Sequence, residues 1–340
     1  MADIDQTRPF RPARRSWRHA ALGIIGVVLG CLFLWLALHN VNPADVAAAV
    51  QQLDPSWVIA GVTIYLAAIG LRCVRWGLLL RATDNVKWRH AAEALLTGFA
   101  ANYVIPGRVG ELFRADYARR VFNMSRFTSL GTIVVERVCD GIVLVCALWT
   151  SFVWLLFTRF VPDESSWILA VAAVATLVFG AALGFIIIAR RIDLRRFGVM
   201  EGIAMRWNHL VKGVSSVLQG NTVAVVLCSI GVWAFEVLAL AAMVRAFGVA
   251  LSPSESLMLL GLASLSTLVP TAPGYLGTYQ LVFAHVFQIF GYPRTVGIIA
   301  ATAVQIFCFG TITVLGGIVL VSRSGLTIWR APKPASPERP

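Results

Sequence analysis

Arg72, Arg75, Glu136, Arg137, Asp140 and Glu236 lie within long apolar stretches of the chain. An ionisable side chain at the centre of a membrane helix costs about 2.5–3.5 kcal/mol on insertion scales, so such residues face protein or water and mark a site or a path. Arg72 and Arg75 are three apart, and Glu136 and Asp140 four apart; on a helix each pair shares a face. In the run Asn102–Glu111, Pro106, Gly107 and Gly110 break one helix, and the next starts near Gly110 or Glu111. A helix N-terminus with Arg108 beside it suits an anion such as a phosphate. Glu111 can pair with that arginine, accept a proton or hold a cationic headgroup. An ion pair closing a turn would explain Arg108 and Glu111 without a ligand. A second break, at Pro270, Pro273, Gly274 and Gly277 with Gln280 just after, carries no charge. It offers backbone dipoles, hydroxyls and one amide, or it is a structural kink.

The elements that hold these residues are apolar. Of 340 residues, 58% are hydrophobic and 14% charged, and mean hydropathy is +0.76. Soluble domains carry about 25% charged residues. The composition excludes an ordinary soluble domain, a disordered chain and a disulfide scaffold, and leaves a polytopic membrane protein. Net charge is +12. Basic loops that set membrane topology explain it better than nucleic acid does, because no basic stretch is interleaved with exposed aromatics. The cysteines form no CxxC pair and the histidines are scattered, and no HExxH, Walker loop or GxGxxG occurs. No metal or cofactor is expected.

Six stretches are long enough to cross a bilayer: Ala20–Leu38, Trp57–Leu80, Leu130–Phe157, Trp167–Ala189, Thr222–Val244 and Val296–Val321. Two regions are too short or too broken: Ala91–Ile105, which continues as an amphipathic stretch to Met124, and Ser256–Val269, which resumes from Tyr275 to Phe290. Each predicts a re-entrant helical hairpin with its tip at one of the two breaks. With this layout, 23 Lys and Arg fall in the tails and loops of one side and three in those of the other. Both termini are therefore expected in the cytoplasm, provided that both hairpins return to the side they enter from.

Both halves then read span, span, hairpin, span, in opposite orientations. Pro106 and Pro270, Gly110 and Gly274, and Arg72 and Glu236 are each 164 residues apart. The expected fold is an all-α polytopic membrane protein with six full transmembrane helices, two opposed re-entrant hairpins and an inverted-topology repeat, an arrangement that points to a transporter. Its organisation reads as a basic cytoplasmic tail (1–19), one transmembrane domain (20–321, halves 20–157 and 167–321) and a Pro-rich disordered cytoplasmic tail (322–340).

Asn102, Pro106, Arg108, Gly110 and Glu111 match the pattern N-x-x-x-P-x-R-x-G-E. Glu136, Arg137 and Asp140 match E-R-x-x-D, and Arg75-Trp76 an earlier R-W. With these motifs the chain resembles, from about Trp17 to Val321, the lysylphosphatidylglycerol synthase transmembrane-region family, also called flippase-like or YbhN-type membrane proteins. Where the family often reads P-G-G-x-G-x-x-E, this chain has Tyr275 for the second glycine and Gln280 for the acid. The resemblance implies a bacterial-type inner-membrane protein that moves or handles a lipid with a charged headgroup: a phospholipid, glycolipid, hopanoid or polyprenyl-phosphate-linked lipid. With 19 residues after Val321 the soluble aminoacyltransferase domain is not expected, nor is enzyme activity.

The leading expectation is a lipid flippase. Arg108, Arg72 and Arg75 hold the phosphate, while Glu111, Glu136 and Asp140 serve the rest of the headgroup or carry protons; Asn102, Arg137, Glu236 and Gln280 complete the binding site. The alternatives are a secondary transporter of a small soluble anion, on the same site, or a non-transporting membrane partner of a lipid- or glycan-modifying enzyme. A second copy of the chain or such an enzyme is the protein partner to look for.

Overall fold

Asn42 and Asp54 each accept a backbone N–H through the side chain, and each is followed by a proline, whose missing N–H and fixed φ suit a first helical turn. They start α1 (Pro43–Gln51) and α2 (Pro55–Arg81). The computed structural model describes residues 28, 31–33, 35–36, 42–83, 86–105, 109–157, 165–189, 191–192, 201–220, 222–268 and 272–324. Every regular element among the described residues is helical. After α2 come α3 (Trp88–Val104), α4 (Gly110–Phe122), α5 (Arg126–Phe157), α6 (Ser165–Ala189), α7 (Glu201–Gln219), α8 (Thr222–Arg245), α9 (Pro253–Ser266) and α10 (Thr278–Ile289). A last run joins α11 (Arg294–Ala303), a π-helical segment (Val304–Phe309) and α12 (Gly310–Ser324).

Among the described residues five helices are long and apolar enough to cross a membrane: Pro55–Arg81, Arg126–Phe157, Ser166–Ala189, Thr222–Arg245 and Arg294–Ser322. They coincide with five of the six expected spans. The sixth, Ala20–Leu38, lies mostly outside the described residues. α5 is about 48 Å long at 1.5 Å per residue and outreaches a hydrocarbon core of about 30 Å. By the same rise α3, α4, α9 and α10 run about 18–26 Å, each short of that thickness.

α2 and α8 pack along each other at the centre, α3 lies on α12, and α9 lies on α5. The largest buried cluster joins Tyr65 of α2, Leu148 of α5, Val232 and Met243 of α8, Leu259 of α9 and Phe283 and Phe287 of α10. A smaller one closes α2, α3 and the end of α4 through Trp76, Leu80, Val86, Ala91, Leu95 and Met124. Met124 therefore brings the end of α4 back to the start of α3. Tyr292, after α10, likewise donates to Glu255 in the first turn of α9 at 3.3 Å. α7 crosses α5 backbone to backbone: a Cβ on Gly213 would lie 2.0 Å from the Thr128 carbonyl oxygen. Asp116 of α4 bonds both Arg120 and Arg126, which ties α4 to the start of α5. Burial raises its pKa, but the two arginines outweigh burial and hold the carboxyl below its usual range.

Candidate functional site

Arg72 and Arg75, one turn apart on α2, meet Glu136, Arg137 and Asp140 from α5 and Glu236 from α8. Arg72 donates through Nε and Nη2 to one oxygen of Glu236, at 3.1 and 2.6 Å. Its Nη1 lies 3.6 Å from Asp140. Arg75 forks onto both oxygens of Asp140 at 2.6 and 3.2 Å and donates to Ser229 Oγ at 3.0 Å. Trp233 Nε1 adds a third donor to Asp140 at 3.0 Å. Arg137 bonds Glu136 and lies 3.4 Å from Asp140. Guanidiniums that fork onto carboxylates satisfy the charges that α2, α5 and α8 carry into the interior.

One member of this network was not foreseen. Arg114, on α4, forks onto both oxygens of Glu136 at 3.2 and 2.6 Å, with its guanidinium carbon 4.1 Å from the centre of the Trp76 ring. Its signal in the sequence is faint. Gly110, Arg114 and Ala118 lie four apart on one small-residue face, and an arginine in the polar stretch 108–120 attracts no notice. Arg75 and Glu136 are sealed, with side chains 0% exposed. They stand behind the site as its scaffold.

At the first break, Asn102 Oδ1 accepts the Gly110 N–H at 2.7 Å and so caps α4 from the preceding helix. The approach is tight: a Cβ on Gly110 would lie 2.0 Å from the Gly98 carbonyl oxygen. Glu111 has a buried carboxylate oxygen, Oε2, with no hydrogen-bond partner among the described residues. Pro106, Gly107 and Arg108, and Pro270 at the second break, lie outside the described residues.

The second turn is built from Pro273–Tyr275 and Gly277. Gly274 and Gly277 have φ of +66° and +88°, where glycine is favoured, and Tyr275 follows at +61°. Gln280 accepts the Gly277 N–H at 2.9 Å and donates to Gln305 Oε1 in the π segment, while Gln305 Nε2 donates to the Gly274 carbonyl at 2.8 Å. Gln280 thus braces the turn and does not face the cavity described next. Tyr103, at the end of α3, stands edge-on to Tyr275 at 6.2 Å, so the two breaks meet.

Where they meet lies a cavity of about 410 Å³. Arg72, Asn102, Glu111, Arg137, Asp140 and Glu236 line its polar part. The remaining wall is aromatic and aliphatic, with Tyr65, Tyr103, Tyr279, Trp233 and Phe309 followed by Leu144, Leu260, Leu265 and Leu268. Tyr65 and Tyr103 place their hydroxyls 3.1 Å apart, and Tyr103 stacks on Phe309 at 4.5 Å. Phe179 of α6 closes one side: its ring sits so close to Gly141 that a Cβ there would lie 2.0 Å from it. The aromatic wall escaped sequence reading because tyrosines scattered over four elements have no common spacing. Among the described residues no group of three His, Cys, Asp or Glu side chains could hold a metal.

Residues 23–316 match the family described as the lysylphosphatidylglycerol synthase TM region. The chain belongs to this family. A relative from Methanothermobacter thermautotrophicus named as a UPF0104 membrane protein is 25% identical, over 86% of this chain and 93% of its own length. Another, from Haloferax volcanii and named glycosyltransferase AglD, is 24% identical over 87% of this chain, which spans 53% of that protein. No solved structure matches. Family membership and the apolar helices together make this lysylphosphatidylglycerol synthase TM-region protein a multi-pass membrane protein.

Proposed function

We propose that this protein translocates a lipid with a charged or phosphate-bearing headgroup across the cytoplasmic membrane. One observation carries the reading: a single cavity joins Arg72 and Arg137 to an aromatic and aliphatic wall, the two chemistries that an amphipathic ligand presents. Arg72 and Arg137 take the phosphate from the cavity side, together with Arg108 on the strength of the sequence. Glu111 and Glu236 face the rest of the headgroup. The chain acts as a carrier and not as an enzyme, within one domain covering residues 20–321.

The same reading includes six spans, two re-entrant hairpins (α3–α4 and α9–α10) and an inverted repeat. Its support is the pattern of neighbours. An offset of 164 residues lays α2 on α8, α3 on α9, α4 on α10 and α5 on α11–α12. Applied to the packing pairs, it turns α3 on α12 into α9 on α5, and α4 on α5 into α10 on α11, all of which occur. Arg72 and Glu236, equivalent under this offset, bond each other, as residues beside a pseudo-two-fold axis would.

The test is transfer of an acyl-labelled anionic phospholipid in vesicles holding the purified protein, with an impermeant quencher outside. Wild-type protein is expected to expose the inner-leaflet label, Arg72→Ala and Arg108→Ala to abolish that, and Arg108→Lys to restore it partly, since a point charge lacks the planar fork. Wild-type vesicles that quench no further than protein-free ones would overturn the reading. A second reading, a non-transporting membrane partner of a lipid- or glycan-modifying enzyme, is favoured by the relative named as a glycosyltransferase. It expects function in cells to survive these site substitutions.

A further inference from the structure

We infer that a second, apolar groove between α2 and the π segment binds a hydrocarbon chain of the translocated lipid, in the half of the membrane away from the charged cluster, and that a layer of aromatic rings separates this groove from the cavity. The inference rests on the proposed function and adds a second station to the path.

The groove encloses about 450 Å³. Val58, Ile59, Val62 and Thr63 line it from α2, and Phe307 and Thr311 from the last long helix. Among the described residues its lining carries no charge. Both hydroxyls are turned back onto their own helices: Thr63 Oγ1 donates to the Ile59 carbonyl at 2.8 Å, and Thr311 Oγ1 to that of Phe307. The groove therefore presents carbon to whatever enters it. A headgroup would lose its hydrogen bonds there, whereas a hydrocarbon chain would not. Both flanking helices are long and apolar enough to cross the membrane, so the groove lies at membrane depth, where lipid chains are at hand.

Groove and cavity are two sections of one face. Val58 and Val62 line the groove, and Tyr65, Ile69 and Arg72 line the cavity. Their spacing of four, three, four and three puts all five on one side of α2. The π segment divides in the same way, with Phe307 on the groove and Cys308 and Phe309 on the cavity. Between the two spaces stand Tyr65, Phe309 and Tyr103. The Tyr65 and Phe309 rings are 6.3 Å apart, Phe309 stacks on Tyr103, and the two tyrosine hydroxyls meet at 3.1 Å. From Pro55 to Arg72 α2 rises about 26 Å, most of a hydrocarbon core of about 30 Å. Groove and cavity together thus follow α2 through most of the membrane. α2 starts where the Asp54 N–H meets the Ala246 carbonyl, and it ends at Arg81, just before Lys87 and Arg89. The groove lies toward the first end and the cavity toward the basic one. A lipid whose headgroup leaves Arg72 finds room for a chain in the groove once the rings part.

The test has two parts, both on the full chain. Val62→Trp fills the groove without touching the charged cluster. In the vesicle assay it should lower transfer of the acyl-labelled anionic phospholipid about tenfold, equivalent to about 1.4 kcal/mol. Its affinity for dihexyl phosphate in detergent should stay within about twofold of wild type, because the cavity is intact. Leu227→Trp, at a residue of α8 that is exposed and lines neither space, should transfer within about twofold of wild type. In the second part benzoylphenylalanine replaces Phe307 and the vesicles are irradiated. The labelled lipid should be captured, and adding Val62→Trp should remove the adduct. Capture that survives that addition comes from bulk lipid at the surface and overturns the inference. An adduct with residues 20–38 of the chain itself overturns it too, because the first span then fills the groove. So does transfer by Val62→Trp at the wild-type rate, or a matching loss of dihexyl phosphate affinity, which would place the effect in the cavity. Each of these leaves the proposed function standing as long as wild-type protein transfers lipid. Where Val62→Trp does not fold, Ile59→Trp, at a groove residue 67% exposed, takes its place. No transfer by wild-type protein removes the proposed function and this inference with it.

Discussion

Arg114 is fully buried because three things happen at once: its two nitrogens fork onto Glu136, its face covers Trp76, and α4 turns it inward. Breaking a buried pair by removing one partner typically costs about 3–5 kcal/mol, because the other charge stays behind. Arg114→Met should therefore lower the thermal stability of the protein in detergent strongly, and adding Glu136→Gln to it should recover part of the loss. A double variant no more stable than Arg114→Met would show that Glu136 is satisfied without Arg114. The ionisable residues of α2, α5 and α8 were legible in the sequence because a charge in an apolar run is expensive and conspicuous. Arg114 was not, because the sequence does not say that a polar stretch will be folded under a membrane helix. Gln280 was legible as a polar residue near a turn, but not as a brace, since its partner Gln305 is 25 residues away in a π segment.

That π segment interrupts the last long helix between Ala303 and Gly310. It sets Gln305 toward the second turn and Cys308 and Phe309 toward the cavity. Local π distortions in helices often accompany functional sites, and nothing in the run Val304-Gln305-Ile306-Phe307-Cys308-Phe309 announces one. Gln305→Ala leaves the Gly274 carbonyl without its side-chain donor and the Gln280 amide with Thr302 Oγ1 as its remaining acceptor, a loss of about 1–3 kcal/mol for a group buried without a partner. We expect a modest fall in stability and a larger fall in lipid transfer, because the turn carries Tyr275 and Tyr279 onto the cavity wall. Lipid transfer at the wild-type rate would show that the turn is positioned without this brace. The side wall makes a separate expectation. α6 packs chiefly on α5, and Phe179 occupies the notch at Gly141. Gly141→Leu should push that ring and α6 away and disturb transfer before it disturbs folding. Five of the six expected spans were readable to within a few residues, as hydropathy alone dictates them, and the sixth, Ala20–Leu38, lies mostly outside the described residues.

At the scale of the whole molecule the loops sort into two groups by their contacts. The Asp54 N–H donates to the Ala246 carbonyl at 2.9 Å, Tyr292 reaches Glu255, and α1 packs on α11. On the other side Met124 packs with Val86, and Gly220 lies beside Ala82. Lys87, Arg89, Arg119, Arg120, Arg126, Arg206 and Lys212 belong to this second group, whereas the first carries Arg245 and Arg294. Positive loops stay in the cytoplasm, so the second group should lie there and the first outside. The grouping works only if α3–α4 and α9–α10 each return to the side they entered from. Single cysteines placed in a chain whose six native thiols have been replaced test this directly. Asp45→Cys and Tyr292→Cys should react with an impermeant maleimide on intact cells. Lys87→Cys and Asn123→Cys should react only after permeabilisation. Lys87 and Asn123 are the sharpest pair, because they bracket the first hairpin. If α3 and α4 crossed the membrane as one interrupted helix, the two would label from opposite sides. The inverted repeat, and the pairing of Arg72 with Glu236 across it, would then lose their basis.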